Sequence, residues 1–351
     1  MSGAGYRVAV VGATGAVGSD LLRLVRERGF PAREVVPFAS ERSAGRTLEH
    51  ADAAVRVLAD DTIDGFDLAL LSAGGTTSRA WAPRFVEAGA TVVDNSSAWR
   101  MHDDVPLVVS EVNPDALAGH RGIVANPNCT TMVAMLPLKA LHDAFGLRSL
   151  VATSYQAAGG AGQKGIDELA AQVGPLSQDI EALVSDGARA ARLVPHAVHA
   201  NTLAFNVVPL LGTLGEDGYT DEELKLRDES RKILDLPALA VSPTCVRVPV
   251  MVGHAVACRA GFAQPVELAR ADAALRAFPG LLVEEAPTPL EWAGRPETVV
   301  GRVRTDLADP HALNFFVVGD NLLKGAALNT VQLAELLHER GLVRVPAGTS
   351  A

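Results

Sequence analysis

The first half of the chain alternates short apolar runs with amphipathic stretches, a pattern typical of strands that alternate with helices. A helical pattern of Leu21, Leu22, Leu24 and Val25 follows the first apolar run and stops near Gly29, and residues 81–88 show a second helical pattern. The apolar runs predict strands at residues 7–11, 34–38, 66–72, 91–94 and 122–125. Strands joined to helices by short connections form parallel sheets, so an α/β fold with a Rossmann-like, doubly wound parallel sheet is predicted.

The pattern changes after about residue 150. Residues 149–157 and 246–262 read as long strands without crossover helices, and helices are predicted at 163–172 and 221–234. A last helix at 325–340 is expected to return to the first domain. We therefore expect a first domain of residues 1–128 with about 322–351, and an α+β second domain of residues 129–321.

Composition is that of an ordinary globular protein. The 351 residues suffice for about two domains, with 48% hydrophobic and 21% charged residues. No apolar run reaches the roughly 18 residues of a membrane span, and Met1–Gly12 lacks signal-peptide features. The net charge of −10 disfavours nucleic acid as a partner. Three cysteines cannot build a disulfide scaffold, so a cytoplasmic protein is expected.

A glycine-rich loop directly after the first predicted strand is the first chemical signal. Gly12, Gly15 and Gly18 form a G-x-x-G-x-x-G variant of the dinucleotide fingerprint, with Thr14, Ala16 and Val17 between them. Such glycines permit a tight turn, approach of a pyrophosphate and close packing of the helix, whose N-terminus favours anions. The alternative is an ordinary strand-to-helix turn.

The segment after the second strand bears on the choice of dinucleotide. An acidic residue at this place is typical of NAD binding, whereas the chain has Ser40, Glu41, Arg42 and Ser43. Arg42 offers a guanidinium and Ser43 a hydroxyl to a 2′-phosphate, although Glu41 would repel it. NADP is the predicted cofactor. A solvated loop with a surface arginine is the alternative.

Cys129 is the second signal. It lies between a predicted strand and an apolar helix, where the helix dipole stabilises a thiolate and the backbone N–H groups can bind an oxyanion. Cys245 and Cys258 lie inside apolar strands and are predicted to be structural.

Six motifs together resemble the aspartate-β-semialdehyde dehydrogenase family. They are Gly12-Ala-Thr-Gly-Ala-Val-Gly18, Asp94-Asn-Ser-Ser-Ala-Trp-Arg100, Asn126-Pro-Asn-Cys129-Thr-Thr, Ser154-Tyr-Gln156-Ala-Ala-Gly-Gly160, Arg247-Val-Pro249 with Gly253-His254, and Asp320-Asn321-Leu-Leu-Lys324-Gly. They occur in the family's order over nearly the whole chain. Leu323, where a basic residue is expected, and Glu41 are small departures. The resemblance implies a cytoplasmic homodimer that reduces L-aspartyl-4-phosphate to L-aspartate-4-semialdehyde with NADPH and releases phosphate, in threonine, methionine, lysine and diaminopimelate synthesis.

The expected chemistry agrees with these residues. Reduction of an acyl phosphate needs a nucleophile that expels phosphate and leaves a thioester for hydride reduction, the role of Cys129. A proton-transfer group near neutral pH is also expected, and His254 is the candidate. Pro249 or Gly253 must break strand alternation if Arg247 and His254 are to face one site. Gln156 resembles the family residue that orients the substrate.

Substrate recognition requires partners for an amine, a carboxylate and a phosphate. Thr220 and Glu223 form a predicted capping box, which leaves Glu222 and Lys225 on one helical face. Spacing alone fits a solvated ion pair equally well. By resemblance, Glu222 binds the amine, Arg247 the carboxylate, and Lys225, Arg100 and Asn128 the phosphate. Gly159, Gly160 and Asn321 would surround the nicotinamide, and no metal is predicted because no cluster has ligand spacing.

Three alternatives stay open at this point. An N-acetylglutamyl-phosphate reductase would share the nucleotide loop, cysteine and histidine, although its substrate has no amine for Glu222. A regulatory NADP-binding protein would not need Cys129, Gln156 and His254 together. A Cys–His hydrolase would leave the dinucleotide loop without a purpose.

Overall fold

The computed structural model describes residues 5–344, which divide into two compact units. The first comprises the residues up to Asn128, Lys232–Leu234 and the residues from Gly325 onward, and the second comprises Cys129–Arg231 and Asp235–Lys324. No helix within residues 5–344 is long and apolar enough to span a membrane.

The first unit is built on a five-stranded parallel sheet in the order β2-β1-β3-β4-β5. Its strands are β1 (Tyr6–Val11), β2 (Ala32–Phe38), β3 (Leu68–Leu71), β4 (Thr91–Asp94) and β5 (Ile123–Ala125), and its first two helices are α1 (Ala16–Glu27) and α2 (Gly75–Glu87). Strands β3 and β4 are buried at every position, as expected for parallel strands that are covered on both faces. The predicted Rossmann-like sheet is confirmed.

The second unit contains a six-stranded mixed sheet in the order β7-β6-β8-β11-β10-β9. Its strands are β6 (Leu147–Gln156), β7 (Ala240–Arg247), β8 (His254–Phe262), β9 (Leu281–Val283), β10 (Thr298–Thr305) and β11 (Ala312–Gly319). Its helices are α3 (Cys129–Phe145), α4 (Gln163–Ser177), α5 (Ile180–Ser185), α6 (Gly187–Ala191), α7 (Asp221–Leu234, of which Lys232–Leu234 belong to the first unit), α8 (Leu268–Ala277) and α9 (Pro289–Trp292). Helix α3 is buried along most of its length and packs against β6, β8 and β11, so these strands rest on an apolar support.

The last helix, α10 (Leu328–Glu339), belongs to the first unit, as the sequence predicted. Arg28 at the end of α1 makes two hydrogen bonds to the Glu335 carboxylate, of 2.8 and 2.7 Å. The buried amide of Asn329 donates to the Val108 carbonyl and to Asn126 Oδ1. These bonds and the contact with α1 fix the helix on the parallel sheet.

The prediction of one long strand over residues 246–262 is wrong. Strand β7 ends at Arg247 and β8 begins at His254, with a six-residue loop between them. Pro249 offers no N–H for a ladder, and Gly253 has φ +100°, which side-chain-bearing residues rarely adopt. A Cβ at Gly253 would also lie 2.9 Å from the Pro289 carbonyl oxygen. The loop removes the strict alternation that would have separated Arg247 from His254.

Other boundaries differ less. Helix α2 begins at Gly75 instead of residue 81, and α4 extends to Ser177 instead of ending at 172. Helix α7 has the predicted bounds of residues 221–234.

Candidate active site

The glycine loop forms a close strand-to-helix turn in the first unit. Gly12 has φ +86°, and a Cβ there would lie 2.3 Å from the Ser72 carbonyl oxygen. A Cβ at Gly18 would lie 2.1 Å from the Gly12 carbonyl oxygen, so both positions require glycine. Helix α1 begins at Ala16 after Gly15, with no side-chain cap and no acidic residue in its first turn. Its first N–H groups and its dipole suit an anionic group such as a pyrophosphate.

The segment predicted to bind the 2′-phosphate forms a 3-10 turn, Glu41–Ser43, shortly after β2. Ser40 precedes the turn, and its carbonyl accepts the Ser43 N–H at 2.8 Å. Ser43 is largely buried, while Ser40, Glu41 and Arg42 are exposed. The turn therefore presents the Arg42 side chain to the solvent beside the carboxyl ends of the parallel strands.

A cavity of about 370 Å³ lies beside the glycine loop that contains Thr14. Thr14, Arg46 and His50 line it together with residues of α1. Arg46 was not singled out by the sequence because it lies outside the motif. It lines the same cavity as Thr14, together with the charged side chains of Asp20, Arg23 and Glu49.

Arg100 is buried in the first unit and fixed by backbone carbonyls. Its Nε donates to the Asn126 carbonyl at 2.9 Å and its Nη2 to the Asn95 carbonyl at 2.7 Å. The Lys232 ammonium in turn donates to the carbonyl of Arg100 and to two further carbonyls of the same loop, at 2.7–2.9 Å. Sequence reasoning missed Lys232, since its partners are main-chain atoms 127–132 residues away. Asn128 is also buried in this unit.

Cys129 and His254 meet in the second unit. Cys129 is the first residue of α3 and His254 the first residue of β8, and Cys129 Sγ lies 3.2 Å from His254 Nε2. The thiol is partly exposed, whereas the imidazole is fully buried. The dipole of a 17-residue helix favours the thiolate form at its N-terminus.

The environment of His254 differs from the expectation of a group that titrates near neutral pH. Burial, followed by the positive charge of Arg247, lowers the pKa of His254 from 6.5 to about 3. The N–H of Ala157 donates to Nδ1 at 3.0 Å. Burial and the charge of Arg247 thus disfavour the imidazolium form, whereas a hydrogen bond with the Gly253 backbone favours it, and the role of His254 in proton transfer stays a prediction.

Gln156 and Arg247 end neighbouring parallel strands in register, on β6 and β7. Arg247 Nη1 donates to the Ala157 carbonyl at 2.8 Å. Burial lowers the pKa of Arg247, and the charges of Cys129 and Glu222 oppose that effect. A guanidinium held in this way beside the thiol can bind an anionic group of a substrate.

The start of α7 has the predicted capping box. The Thr220 N–H donates to Glu223 Oε2 at 2.8 Å, and the Glu223 N–H donates to Thr220 Oγ1 at 3.3 Å. Glu223 has a second role that the sequence did not reveal: its Oε1 accepts the Cys245 N–H at 3.0 Å. The carboxylate thereby ties the start of α7 to β7, two residues before Arg247.

Glu222 connects Gln156 with Lys225. Its Oε1 accepts the Gln156 Nε2 at 3.2 Å, and its Oε2 accepts the Lys225 ammonium at 3.3 Å. The side chains of Glu222 and Lys225 are only 13% and 27% exposed. The alternative of a fully solvated ion pair is therefore wrong, since the pair lies partly buried against a strand-end glutamine.

A glycine turn and Asn321 flank this cluster. A Cβ at Gly160 would lie 2.5 Å from Arg247 Nη1 and 3.1 Å from His254 Cε1, and one at Gly159 would lie 2.9 Å from the Met251 carbonyl oxygen. Asn321 Oδ1 accepts the Gly253 N–H at 2.8 Å. Its buried Nδ2 has no hydrogen-bond partner among residues 5–344. An unsatisfied amide donor at this place suits an acceptor on a bound cofactor.

The other cysteines are structural, as predicted. Cys245 lies in β7 and Cys258 in β8, both buried. Burial raises the pKa of Cys245 to about 12 and also raises that of Cys258. Neither supplies a thiolate near neutral pH. Within the part of the chain that the structure describes, no three His, Cys, Asp or Glu side chains cluster in a way that could hold a metal ion.

Comparison with protein families identifies both halves of the chain. Residues 7–120 match the NAD binding domain of semialdehyde dehydrogenases, and residues 138–324 match the semialdehyde dehydrogenase dimerisation domain. The aspartate-semialdehyde dehydrogenase of Streptomyces akiyoshiensis is 50% identical over 334 residues, which cover 94% of this chain and 98% of the relative. That of Aquifex aeolicus is 43% identical and covers 97% of this chain and 100% of the relative.

A solved structure supports the same conclusion. The crystal structure of aspartate semialdehyde dehydrogenase II from Vibrio cholerae, complexed with ASA, is 40% identical, with a TM-score of 0.89 and coverage of 96% of this chain and 99% of that one. The resemblance inferred from the six motifs is confirmed, and the N-acetylglutamyl-phosphate reductase alternative is not supported. The chain is an enzyme that belongs to the aspartate-semialdehyde dehydrogenase family.

Proposed function

We propose that this chain reduces L-aspartyl-4-phosphate to L-aspartate-4-semialdehyde with NADPH, releases phosphate, and proceeds through a thioester on Cys129. The single observation that carries the proposal is the 3.2 Å contact between Cys129 Sγ and His254 Nε2 at a helix N-terminus. A thiolate in this place is a stronger nucleophile than any other side chain of the cluster. Its attack on an acyl phosphate forms the C–S bond and breaks the C–O bond to phosphate.

Two features support Cys129 as a thiolate. The N-terminus of α3 and the Arg247 guanidinium both provide positive charge near the thiol. The guanidinium and the Cys129 thiolate attract each other. The pKa values of the buried Cys245 and Cys258 are raised because burial disfavours their thiolate forms, even though Arg247 also interacts with Cys245. The contrast among the three thiols favours Cys129 as the nucleophile.

The polar groups around the thiol suit an aspartyl substrate. We assign Arg247 to the α-carboxylate, because a guanidinium binds a carboxylate through two parallel hydrogen bonds. We assign Glu222 to the amine and Gln156 to orienting the acyl carbon, since Gln156 Nε2 already bonds to Glu222. Lys225, Arg100 and Asn128 are assigned to the phosphate, which needs several donors and cations.

The residues present fit an NADP cofactor. Gly12, Gly15 and Gly18, with Thr14, Ala16 and Val17, would hold the pyrophosphate, and Ser40, Arg42 and Ser43 would bind the 2′-phosphate. Gly159, Gly160 and the unsatisfied amide of Asn321 would border the nicotinamide. When bound, the nicotinamide supplies the hydride for the thioester carbon. In this assignment residues 1–128 with about 322–351 bind NADP, and residues 129–321 carry catalysis and dimerisation.

The remaining assignments concern the cellular role. We propose a cytoplasmic homodimer that serves threonine, methionine, lysine and diaminopimelate synthesis. Support comes from the match of residues 138–324 to a dimerisation domain and from the identity of the curated relatives.

The test is NADP reduction with L-aspartate-4-semialdehyde as the substrate, with and without phosphate. We expect reduction that depends on phosphate and is much slower with NAD. N-acetylglutamate semialdehyde serves as the control substrate. The proposal would be overturned if the rate of NADP reduction were the same with and without phosphate, or if the control substrate were preferred.

A further inference from the structure

We propose that Asp320 is a positioning residue for cofactor binding. Its carboxylate fixes the turn after β11, so that the amide of the adjacent Asn321 faces the glycine turn Ala158–Ala161 and can donate to the nicotinamide half of NADP. Asp320 does not itself contact the cofactor in this role. The inference rests on the proposed function and adds to its NADP site a residue that acts through its neighbour.

The Asn321 side chain takes the place of a main-chain bond where β11 ends. Gly319, the last residue of β11, is paired with His254 on antiparallel β8, so Gly253 is the next residue on the β8 side. Asn321 Oδ1 accepts the Gly253 N–H at 2.8 Å. This bond orients the amide, and its Nδ2 lies 3.6 Å from the position that a Cβ on Gly159 would take. The donor therefore faces the glycine turn.

The Asn321 amide can serve a ligand. The residue is only 2% exposed, and its Nδ2 has no hydrogen-bond partner among residues 5–344. A buried donor without an acceptor costs free energy, so such a group suits an acceptor that a ligand supplies. Gly159 has no side chain to fill the space near this donor, and its own N–H already donates to the Met251 carbonyl at 2.9 Å. The carboxamide oxygen of a nicotinamide is an acceptor of the required kind.

The Asp320 carboxylate holds the turn in which Asn321 lies. Its Oδ1 accepts the N–H groups of Leu322 and Leu323, at 2.8 and 3.0 Å, and thereby closes the turn. Its Oδ2 accepts the Gly294 N–H at 2.7 Å, which ties the turn to the segment after α9. Asp320 is 2% exposed, so these three N–H groups depend on the carboxylate for their acceptors.

These bonds matter for Asn321 because the chain changes direction there. Asn321 lies between the end of β11 and the N–H groups that Asp320 Oδ1 accepts, so the carboxylate sets where its backbone lies. Hydrogen bonds of this kind need a distance of about 2.7–3.2 Å, and a shift of the turn by about 1 Å would break the bond to the Gly253 N–H. The Asn321 amide would then lose its orientation toward the glycine turn.

Asp306 provides a matched control at the other end of β11. It lies in the turn after β10, and its Oδ1 accepts the N–H groups two and three residues further on, those of Ala308 and Asp309, at 3.0 and 3.2 Å. Its Oδ2 also has a partner, Asn314 Nδ2, at 3.0 Å. Asp320 makes the same pair of bonds to its own turn. No residue assigned to the cofactor or the substrate is among the partners of Asp306, so Asp306→Asn alters a turn of the same kind away from the site.

Calorimetric titration with NADP and with adenosine 2′,5′-bisphosphate, which lacks the nicotinamide half, tests the proposal. In Asp320→Asn, one of the two acceptor atoms becomes a donor that faces a backbone N–H. We expect roughly three- to tenfold weaker binding of NADP, the effect of one lost hydrogen bond, and unchanged binding of the bisphosphate. Asp306→Asn should change neither affinity. Unchanged NADP binding in Asp320→Asn, equal weakening of both ligands, or the same weakening in Asp306→Asn would overturn the proposal.

A double-mutant cycle tests whether Asp320 acts through Asn321. Asn321→Ala should weaken NADP binding by itself, and the addition of Asp320→Asn should then weaken it no further, whereas additive losses would overturn the positioning role. If Asp320→Asn does not fold, Asp320→Ser takes its place in the cycle, because it sets no donor against the Gly294 N–H. A wild-type protein that does not bind NADP would contradict the proposed function. If it binds NADP and the variants fail to differ, only the role of Asp320 is overturned.

Discussion

The Lys225 ammonium lies 2.6 Å from Asp221 Oδ2, one turn earlier in α7, and 3.3 Å from Glu222 Oε2. Asp221 itself is fixed by the Thr213 N–H, which donates to its Oδ1 at 2.6 Å. These carboxylates raise the pKa of Lys225 although burial acts against them. The lysine is therefore a charged and oriented group, and a phosphate that binds to it competes with the carboxylate of Asp221.

The change of Lys225 to methionine should act mainly through phosphate. A hydrogen bond to a charged group contributes about 1.5–3 kcal/mol, so the Michaelis constant for phosphate should rise roughly ten- to a hundredfold in Lys225→Met. NADP binding, measured by titration, should not change. Asp221→Asn is the matched control, because its amide oxygen can still accept the Thr213 N–H. Loss of the Asp221 negative charge, which competes with phosphate for Lys225, should lower the Michaelis constant for phosphate. An unchanged phosphate dependence in Lys225→Met would contradict the assignment of this residue to phosphate.

Replacement of the nucleophile gives a separate test. Cys129→Ser should lose several orders of magnitude in turnover and still bind NADP, because a serine hydroxyl is a far weaker nucleophile than a thiolate near neutral pH. Mass spectrometry of the wild-type protein with acyl phosphate and no reductant should show an acyl adduct on the peptide that contains Cys129. Cys245→Ser is the control for loss of a buried thiol. A near-normal rate in Cys129→Ser would exclude the thioester.

Local sequence patterns were sufficient to predict the sheet of the first unit, since the apolar runs placed β1 to β5, and they placed Cys129 at the start of a helix, where the structure has it. They did not predict β9, β10 and β11 of the second sheet, and they placed His254 inside a long strand instead of at the start of β8. The sequence indicated that Pro249 or Gly253 must break the alternation between Arg247 and His254, but it did not show that both strands end there with a loop of six residues between them.

Contacts between distant residues were outside the reach of sequence reasoning. The Ala157 N–H that donates to His254 Nδ1 is 97 residues away in the sequence. The identity of an alanine does not indicate which hydrogen bonds its backbone makes. The burial that lowers the pKa of His254 is likewise a property of the packed sheet. The same holds for Lys232, whose three carbonyl partners fix the loop that carries Arg100.

The choice of NADP over NAD should depend on Arg42. Loss of a charge-assisted hydrogen bond in Arg42→Ala, worth about 1.5–3 kcal/mol, should reduce the NADP over NAD preference roughly ten- to a hundredfold. The affinity for NAD should hardly change. Glu41→Ala removes the opposite charge from the same 3-10 turn and should shift the preference toward NADP. Titration of both cofactors measures these effects, and equal losses for NADP and NAD in Arg42→Ala would assign Arg42 a merely structural role.

Burial of a neutral His254 makes the stability of the protein depend on pH. Its pKa is about 3 in the folded state and near 6.5 when unfolded, so the unfolded chain binds more protons between these values and stability falls as the pH falls. The free energy of unfolding of the wild-type protein should therefore be about 2 kcal/mol lower at pH 5 than at pH 8 because of this group. In His254→Gln this contribution is absent, so the free energy of unfolding, measured with denaturant, should fall by about 2 kcal/mol less between pH 8 and pH 5. Identical pH dependence in the two proteins would show that His254 is not buried in its neutral form.

Arg247 and Glu222 should have separable effects on the substrate, because each is assigned to a different charge. Arg247→Leu should raise the Michaelis constant for the semialdehyde and lower turnover, since an unanchored carboxylate lets the aldehyde carbon move out of reach of the thiolate. Glu222→Gln should act in the same direction and more weakly, because its amide oxygen can still accept one hydrogen bond from the amine.

Both variants should keep the affinity for NADP and the circular dichroism spectrum of the wild-type protein, which are the controls for folding. Glu223→Gln provides a matched comparison, since it weakens the contact to the Cys245 N–H and the cap of α7 without touching an assigned substrate charge. Its effect should appear in stability. If Arg247→Leu changed only stability and left the Michaelis constant for the semialdehyde as it was, the carboxylate would have to be bound elsewhere.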